Sequence, residues 1–274
     1  MRAWVVSVYG TKIDGSTDSE TVIIKSSDGS VIKRTSNISN VTGYTELDGD
    51  TPVNVTTLID GEYEYMRDLT LNIEVYEGGI PTSFNRMRQD KGKEWTDRHQ
   101  VSAYTNLQKV IAWWKNVVGR DSLDGKGGKV KLVTHQTHFR NHNTLGQNVI
   151  GIGDPRKDNA MWNSYTTTIY VCDSKDYEFT RSAALDVMAH EATHGVIHYG
   201  IGYNLFDSAF RHESVPKYIN EAYADIFACI MTNDWRIAED LYRSNASFDS
   251  MRNIAEPYDA HSIDAYYRNI NAKW

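Results

Sequence analysis

His190-Glu191-Ala192-Thr193-His194 reads H-E-x-x-H and decides how the rest of the chain is read. It lies in a stretch, Ser182 to Tyr199, whose apolar spacing predicts a helix ending near Gly200. On a helix, residues four apart share a face one turn apart, so His190 and His194 can aim two imidazoles at one metal ion. Glu191 is turned away by about 100° and reaches a water on that metal rather than the metal itself.

Catalytic zinc normally has three protein ligands plus a water, so a third ligand is required. Position 197 is Ile and position 200 is Gly, which excludes the class that continues H-x-x-G-x-x-H. His198 is rotated about 80° from His190 and reads as a helix-surface histidine. Glu221 is the better candidate. It lies in Asn220-Glu221-Ala222-Tyr223-Ala224-Asp225, on a second helix opened by Pro216 and running through Tyr218–Met231. Asp225, one turn on, is placed to accept the outer N–H of a ligand histidine.

Upstream, residues 1 to about 80 read as β-structure. Val/Ile/Thr/Tyr runs at Trp4–Tyr9, Thr21–Lys25, Val31–Thr35, Val53–Ile59, Glu62–Met66 and Leu71–Tyr76 alternate with turn residues, and Asp14-Gly15, Asp28-Gly29 and Asp60-Gly61 are hairpin candidates. From Asp97 the period changes. Val101, Tyr104, Leu107, Val110, Ile111, Trp114, Val117 and Val118 form a helical stripe stopped by Gly119. Val130–Val133 and Thr166–Val171 read as strands separated by a long polar loop, and Asp234–Tyr242 reads as a short helix. His135, His138 and His142 cluster in that loop; their spacing is not strictly helical, so they read as ordinary loop histidines, with a second metal site as the alternative.

The chain has 274 residues, 40% hydrophobic and 24% charged, which is the composition of a folded globular protein. No apolar run is long enough to span a bilayer. A net charge of −7 argues against nucleic acid as the main partner. Cys172 and Cys229 are too few for a disulfide scaffold and read as buried thiols. The N-terminus, Met1 to Gly10, reads as a first strand and has no signal-peptide core.

Residues 190–196 and 220–225 together resemble the two motifs of the thermolysin family of zinc metallopeptidases, H-E-x-x-H-[AG]-V and [IA]-N-E-A-x-[SA]-D. Asp158 to Asn163 resembles the family's Asn-Ala-x-Trp substrate edge. Tyr65–Thr70, Trp114–Gly125, Asp234–Asp240 and Asp249–Pro257 carry further likeness, so the resemblance runs from about Val5 to Tyr267. It implies an α+β, zincin-like fold: a β-rich N-terminal lobe over residues 1–200 ending in the H-E-x-x-H helix, and the beginning of an α-helical C-terminal lobe over 201–274. It implies one zinc ion held by His190, His194 and Glu221, with Asp225 and Asn220 orienting the imidazoles. Glu191 would be the catalytic base that activates a zinc-bound water and protonates the leaving amine. Asn159 and Ala160 would bind substrate main chain as an added strand, and Met161 and Trp162 beside them would also be substrate-binding. Arg252 would hold a substrate carbonyl, and Val187 and Met251 would line a pocket for a bulky apolar residue after the scissile bond. The expected partner is a peptide or protein substrate, and the expected location is extracellular.

The chain also departs from the family. The family's oxyanion-stabilising Tyr is expected near position 205, where the chain has Leu205 and Phe206, with Tyr203 nearby. The family's late His is expected beyond residue 274, and the context of His261 does not match it. The chain therefore reads as truncated, nicked or naturally short. The alternative function is a zinc-stabilised domain, weak or inactive in catalysis, that binds peptides or a partner. At the family's double calcium site Asp186, Asp234 and Glu239 match, but Thr232 and Arg236 replace two acids. A guanidinium opposes a hard cation, so no calcium is expected there and Arg236 should pair with the surviving acids.

Overall fold

The computed structural model describes residues 2–11, 17–78, 85–135, 139–142, 148–151, 160–164, 166–172, 183–201, 214–239 and 252–255. The N-terminal part is built from hairpins. Strands β1 (Ala3–Thr11), β2 (Thr17–Lys25) and β3 (Val31–Ser36) form an antiparallel three-stranded sheet, with Asp28-Gly29 in the β2–β3 turn. The following strands are β4 (Ile38–Tyr44), β5 (Pro52–Asp60), β6 (Tyr63–Asp68), β7 (Ile73–Glu77), β8 (Asn85–Arg86) and β9 (Arg88–Asp90). Gly61 takes a positive φ between β5 and β6, as its hairpin signal predicts.

Helix α1 (Arg98–Trp113) starts where the apolar period changes. Asp97 caps it, its Oδ1 accepting the N–H of Gln100 at 3.0 Å. Val101, Tyr104, Leu107, Val110, Ile111 and Trp114 are buried, as the stripe requires. Val117 and Val118 are exposed instead, because residues 114–118 form a π-helical turn that shifts the phase of the stripe before Gly119 ends it.

β10 (Val130–Thr134) lies parallel to β7. The segment read as a long polar loop contains three short strands: β11 (Phe139–His142), β12 (Asn148–Gly151) and β13 (Ala160–Asn163). β14 (Thr168–Val171) then pairs with both β10 and β13. The main sheet runs in the order β13-β14-β10-β7-β6-β5-β4, so β13 is an outer strand. One face of this sheet carries the core, where Met66, Ile73, Val75, Leu132 and Ile169 meet α1 and the central helix α2 (Leu185–Ile201). Helix α3 (Ser214–Thr232) packs on α2.

The helix read over Asp234–Tyr242 is not what forms. Residues Arg236–Ile237 are a short strand, β15, paired with β16 (Arg252–Asn253). Asn233 and Ala238 have φ of 56° and 62°, which interrupts a helix on both sides. The Asp234 side chain accepts the N–H of Arg236 at 3.0 Å, a local turn that competes with helix. Residues 240–242 lie outside the described part.

Candidate metal centre

Helix α2 is buried from Asp186 through Gly195, so both histidines of the motif are held with little side-chain freedom. Their spacing puts His190 and His194 on one face, and their Nε2 atoms lie 3.0 Å apart. α3 supplies the third corner. Glu221 Oε2 is 3.3 Å from His190 Nε2 and 3.7 Å from His194 Nε2. His190 meets Glu221 and Asp225 while His194 meets Asn220 and Glu221, so the two helices cross antiparallel.

The outer ring nitrogens are also held. Asp225 Oδ1 lies 2.8 Å from His190 Nδ1, and Asn220 Oδ1 lies 3.2 Å from His194 Nδ1. Both imidazoles thus present Nε2 to the same point in space. A tetrahedral ion with ligands at about 2.0–2.1 Å sets its ligand atoms about 3.3 Å apart, and the His190–His194–Glu221 triangle has sides close to that length. Two imidazoles and one carboxylate are a donor set suited to zinc.

Glu191 completes a His190–Glu191–His194 group whose ligand atoms lie within 4.8 Å of one another. Its Oε2 accepts the backbone N–H of Trp162 at 2.6 Å. That contact ties the acid to β13. Gly195, one turn further along α2, allows this closeness: a Cβ there would lie 2.9 Å from Leu123 Cδ1 and 3.2 Å from Trp162 Cζ3.

The electrostatics of the cluster are those of a cation site. Burial opposes a charge on His190, but Asp225, Glu221 and Glu191 outweigh it and push its pKa up to about 10. Burial and the His190 charge push His194 down. Burial also opposes the Glu221 charge, yet its imidazole partners hold its carboxyl well below the usual range. The cluster therefore favours a positive charge at its centre. Burial pushes Glu191 up to about 7, although the His190 charge works the other way. A carboxylate poised there suits proton transfer near neutral pH.

Residues 40–198 match the family model of the thermolysin metallopeptidase catalytic domain, more than half of the chain. The chain belongs to the thermolysin family. Among named relatives, bacillolysin of Brevibacillus brevis is 29% identical over 87% of this chain and 41% of its own length. Extracellular elastase of Staphylococcus epidermidis is 28% identical over 81% of this chain and 41% of its own length. The chain thus spans less than half the length of these relatives. The solved precursor of protealysin from Serratia proteamaculans overlaps 68% of this chain and 53% of its own at 20% identity, with a TM-score of 0.48.

The remaining residues that the thermolysin motifs single out are distributed as follows. Ala160 and Trp162 are buried on β13 and Met161 is half-buried. Val187 is buried on α2 within the core. Arg252, expected to face substrate, is 4% exposed and donates to Asp225 Oδ1 at 2.6 Å from Nη2. Asn159, Met251, Tyr203, Leu205, Phe206 and His261 lie outside the described residues. The rings of His198 and Trp162 are tilted 55° to each other, with centroids 6.0 Å apart. His135 pairs with Asp97 at 2.9 Å; His138 and the His142 side chain lie outside the described part. The Trp162 N–H on Glu191 has no counterpart in the sequence reading, because a backbone donor leaves no mark on residue type.

Proposed function

We propose that the chain is the zinc-binding, catalytic part of an endopeptidase that acts outside the cell on peptides or proteins. The observation that carries this is the His190–His194–Glu221 triangle with Glu191 beside it. His190, His194 and Glu221 would hold one zinc ion, and Asp225 and Asn220 would fix the imidazole orientations. Zinc, when bound, lowers the pKa of water towards 7 and polarises a carbonyl. Glu191 takes the proton of the attacking water and passes it to the leaving amine. Substrate main chain adds to the outer edge of β13, where Asn159, Ala160, Met161 and Trp162 lie in sequence, and Arg252 lies near the substrate carbonyl through its seat on Asp225. Val187 and Met251 favour a bulky apolar residue after the scissile bond.

Zinc titration of the metal-free chain, followed by hydrolysis of peptides that differ only in the residue after one bond, tests this reading. One zinc bound per chain, and cleavage before Leu or Phe abolished by chelation, is the expected result. Absence of zinc binding overturns it. Zinc binding without turnover favours the second reading, a peptide-binding domain, which Leu205 and Phe206 at the expected Tyr position support.

A further inference from the structure

Three successive turns of α2 hold one residue of β13. Glu191, Gly195 and His198 stand at i, i+4 and i+7, so they share one face of the helix. Glu191 Oε2 accepts the backbone N–H of Trp162 at 2.6 Å. A Cβ on Gly195 would lie 3.2 Å from Cζ3 and 3.3 Å from Cε3 of the Trp162 indole. The His198 ring follows, its centroid 6.0 Å from that of Trp162. The carboxylate is thus fixed by a residue whose own ring lies against the next two turns of the same helix.

Two polar atoms at this contact have no partner among the described residues. Trp162 is 8% exposed, and its Nε1–H, which can only donate, is enclosed without an acceptor. His198 is half-buried, and its Nδ1 is enclosed without a hydrogen-bond partner. Enclosed polar atoms are paired in the great majority of cases, and each of these two supplies what the other needs. Burial pushes the His198 pKa down, so the ring is neutral near pH 7 and one of its nitrogens can accept.

We propose that His198 is a positioning residue for Glu191: its Nδ1 takes the Trp162 indole N–H, through one water or directly after a turn of the imidazole, and this bond holds Trp162 where its backbone N–H meets the carboxylate. The inference rests on the reading of Glu191 as the base. Packing on Gly195 sets how closely β13 approaches α2. A hydrogen bond at Nε1 sets the rotation of the indole, because hydrogen bonds are directional and packing is not.

Labelling the seven tryptophans with heavy nitrogen and reading their N–H signals by NMR tests this without substrate. Trp162→Phe identifies the indole and backbone signals of Trp162. In the wild type both protons should resist exchange with solvent. His198→Phe keeps a ring against Trp162 and removes the acceptor; both protons should then exchange about tenfold faster. His198→Gln offers a side-chain oxygen in its place and should restore both to within about threefold of the wild type. If the wild-type chain hydrolyses peptides, His198→Phe should lower kcat about tenfold with KM and zinc affinity unchanged, and His198→Gln should regain it. Exchange at Trp162 indifferent to His198→Phe overturns the proposal. So does faster indole exchange with an unchanged backbone N–H, or a Gln variant that behaves like the Phe variant. A wild type that binds no zinc defeats the reading of Glu191 as a base, and the exchange rates still decide whether His198 holds Trp162 against it. If His198→Phe does not fold, the wild type decides: a His198 ring with its proton on Nε2 supports the proposal, and a proton on Nδ1 overturns it.

Discussion

His190 Nδ1 lies 2.8 Å from Asp225 Oδ1, and Arg252 Nη2 lies 2.6 Å from the same oxygen. One buried carboxylate oxygen thus sets both the direction of an imidazole and the position of a guanidinium. Removing it should loosen both. Asp225→Asn should weaken zinc binding about tenfold and Asp225→Ala about a hundredfold, since outer partners of ligand histidines contribute in that range. Competition with a zinc chelator measures this directly. Unchanged affinity in both variants would mean that Asp225 serves only Arg252.

Glu191 is held by the Trp162 N–H and is not a corner of the His190–His194–Glu221 triangle, so its loss should leave the metal in place. Glu191→Gln should bind one zinc per chain with wild-type affinity and lose about 10²–10⁴-fold in peptide hydrolysis, the span of general acid–base catalysis. Metal content and turnover, measured on the same preparation, separate the two effects. Retained turnover would sink the assignment of the base.

Arg236 Nη2 lies 3.0 Å from Asp234 Oδ2, and Asp186 accepts the N–H of Ala238. Two of the acids at the family's calcium positions are therefore already engaged, one of them by a cation. Removing calcium at constant zinc should move the thermal midpoint by no more than about 1 °C. Arg236→Glu puts a carboxylate beside Asp234 and should make the midpoint rise with added calcium. A steep fall on calcium removal from the wild type would show that the arginine does not exclude the ion.

What the sequence reveals here depends on the range of the interactions involved. α3 is legible because its apolar residues keep a 3.6-residue period, α2 because the H-E-x-x-H spacing places both histidines on one helical face, and the early hairpins because Asp-Gly pairs punctuate alternating runs. The approach of Glu221 and Asp225 to His190 is readable because the two acids stand one turn apart on the next helix, in a segment that resembles the family's second motif. β11 and β13 escape because Phe139–His142 and Ala160–Asn163 are four residues each and contain Asn and His, so pairing with distant partners decides them. β15 escapes because its partner, Arg252–Asn253, lies 15 residues downstream of Ile237 at its nearest. The seat of Arg252 on Asp225 is likewise long-range: nothing near residue 252 announces it.

Glu74 is buried in β7 between Arg86, 2.8 Å away, and Lys129, 2.6 Å away, and it accepts from the Tyr76 hydroxyl at 2.9 Å. Burial alone would raise its pKa, but Lys129 and Tyr76 outweigh it, and its carboxyl is held below the usual 4.5. A carboxylate with a depressed folded pKa adds stability that is fully present above its unfolded value and is lost as pH falls through its folded one. Glu74→Gln should therefore cost about 1–2 kcal/mol near neutral pH. The gap from wild type should close on acidification below about pH 4.5. Urea unfolding at several pH values checks the sign. A gap that widens with acid would mean that the pairs with Arg86 and Lys129 do not stabilise the fold.

Gly43 sits where β4 meets α1 with no room for a side chain. A Cβ at this position would lie 2.6 Å from Val55 Cγ2 and 3.0 Å from Val101 Cγ2. Val55 is on the neighbouring strand and Val101 on α1, both fully buried, so neither side chain has free space to turn into. Gly43 also bridges to Trp95, whose N–H bonds to Thr42 O at 2.8 Å, which fixes the strand locally. Gly43→Ala should cost about 1–3 kcal/mol through overpacking. Val55→Ala removes the nearer methyl and leaves a cavity, costing a similar amount alone. Combined, the new methyl enters the space that Val55 leaves, and the double variant should be more stable than the sum of the two losses predicts, by about 1 kcal/mol. Strict additivity in equilibrium unfolding would mean that β4 moves away from α1 instead of pressing on Val55.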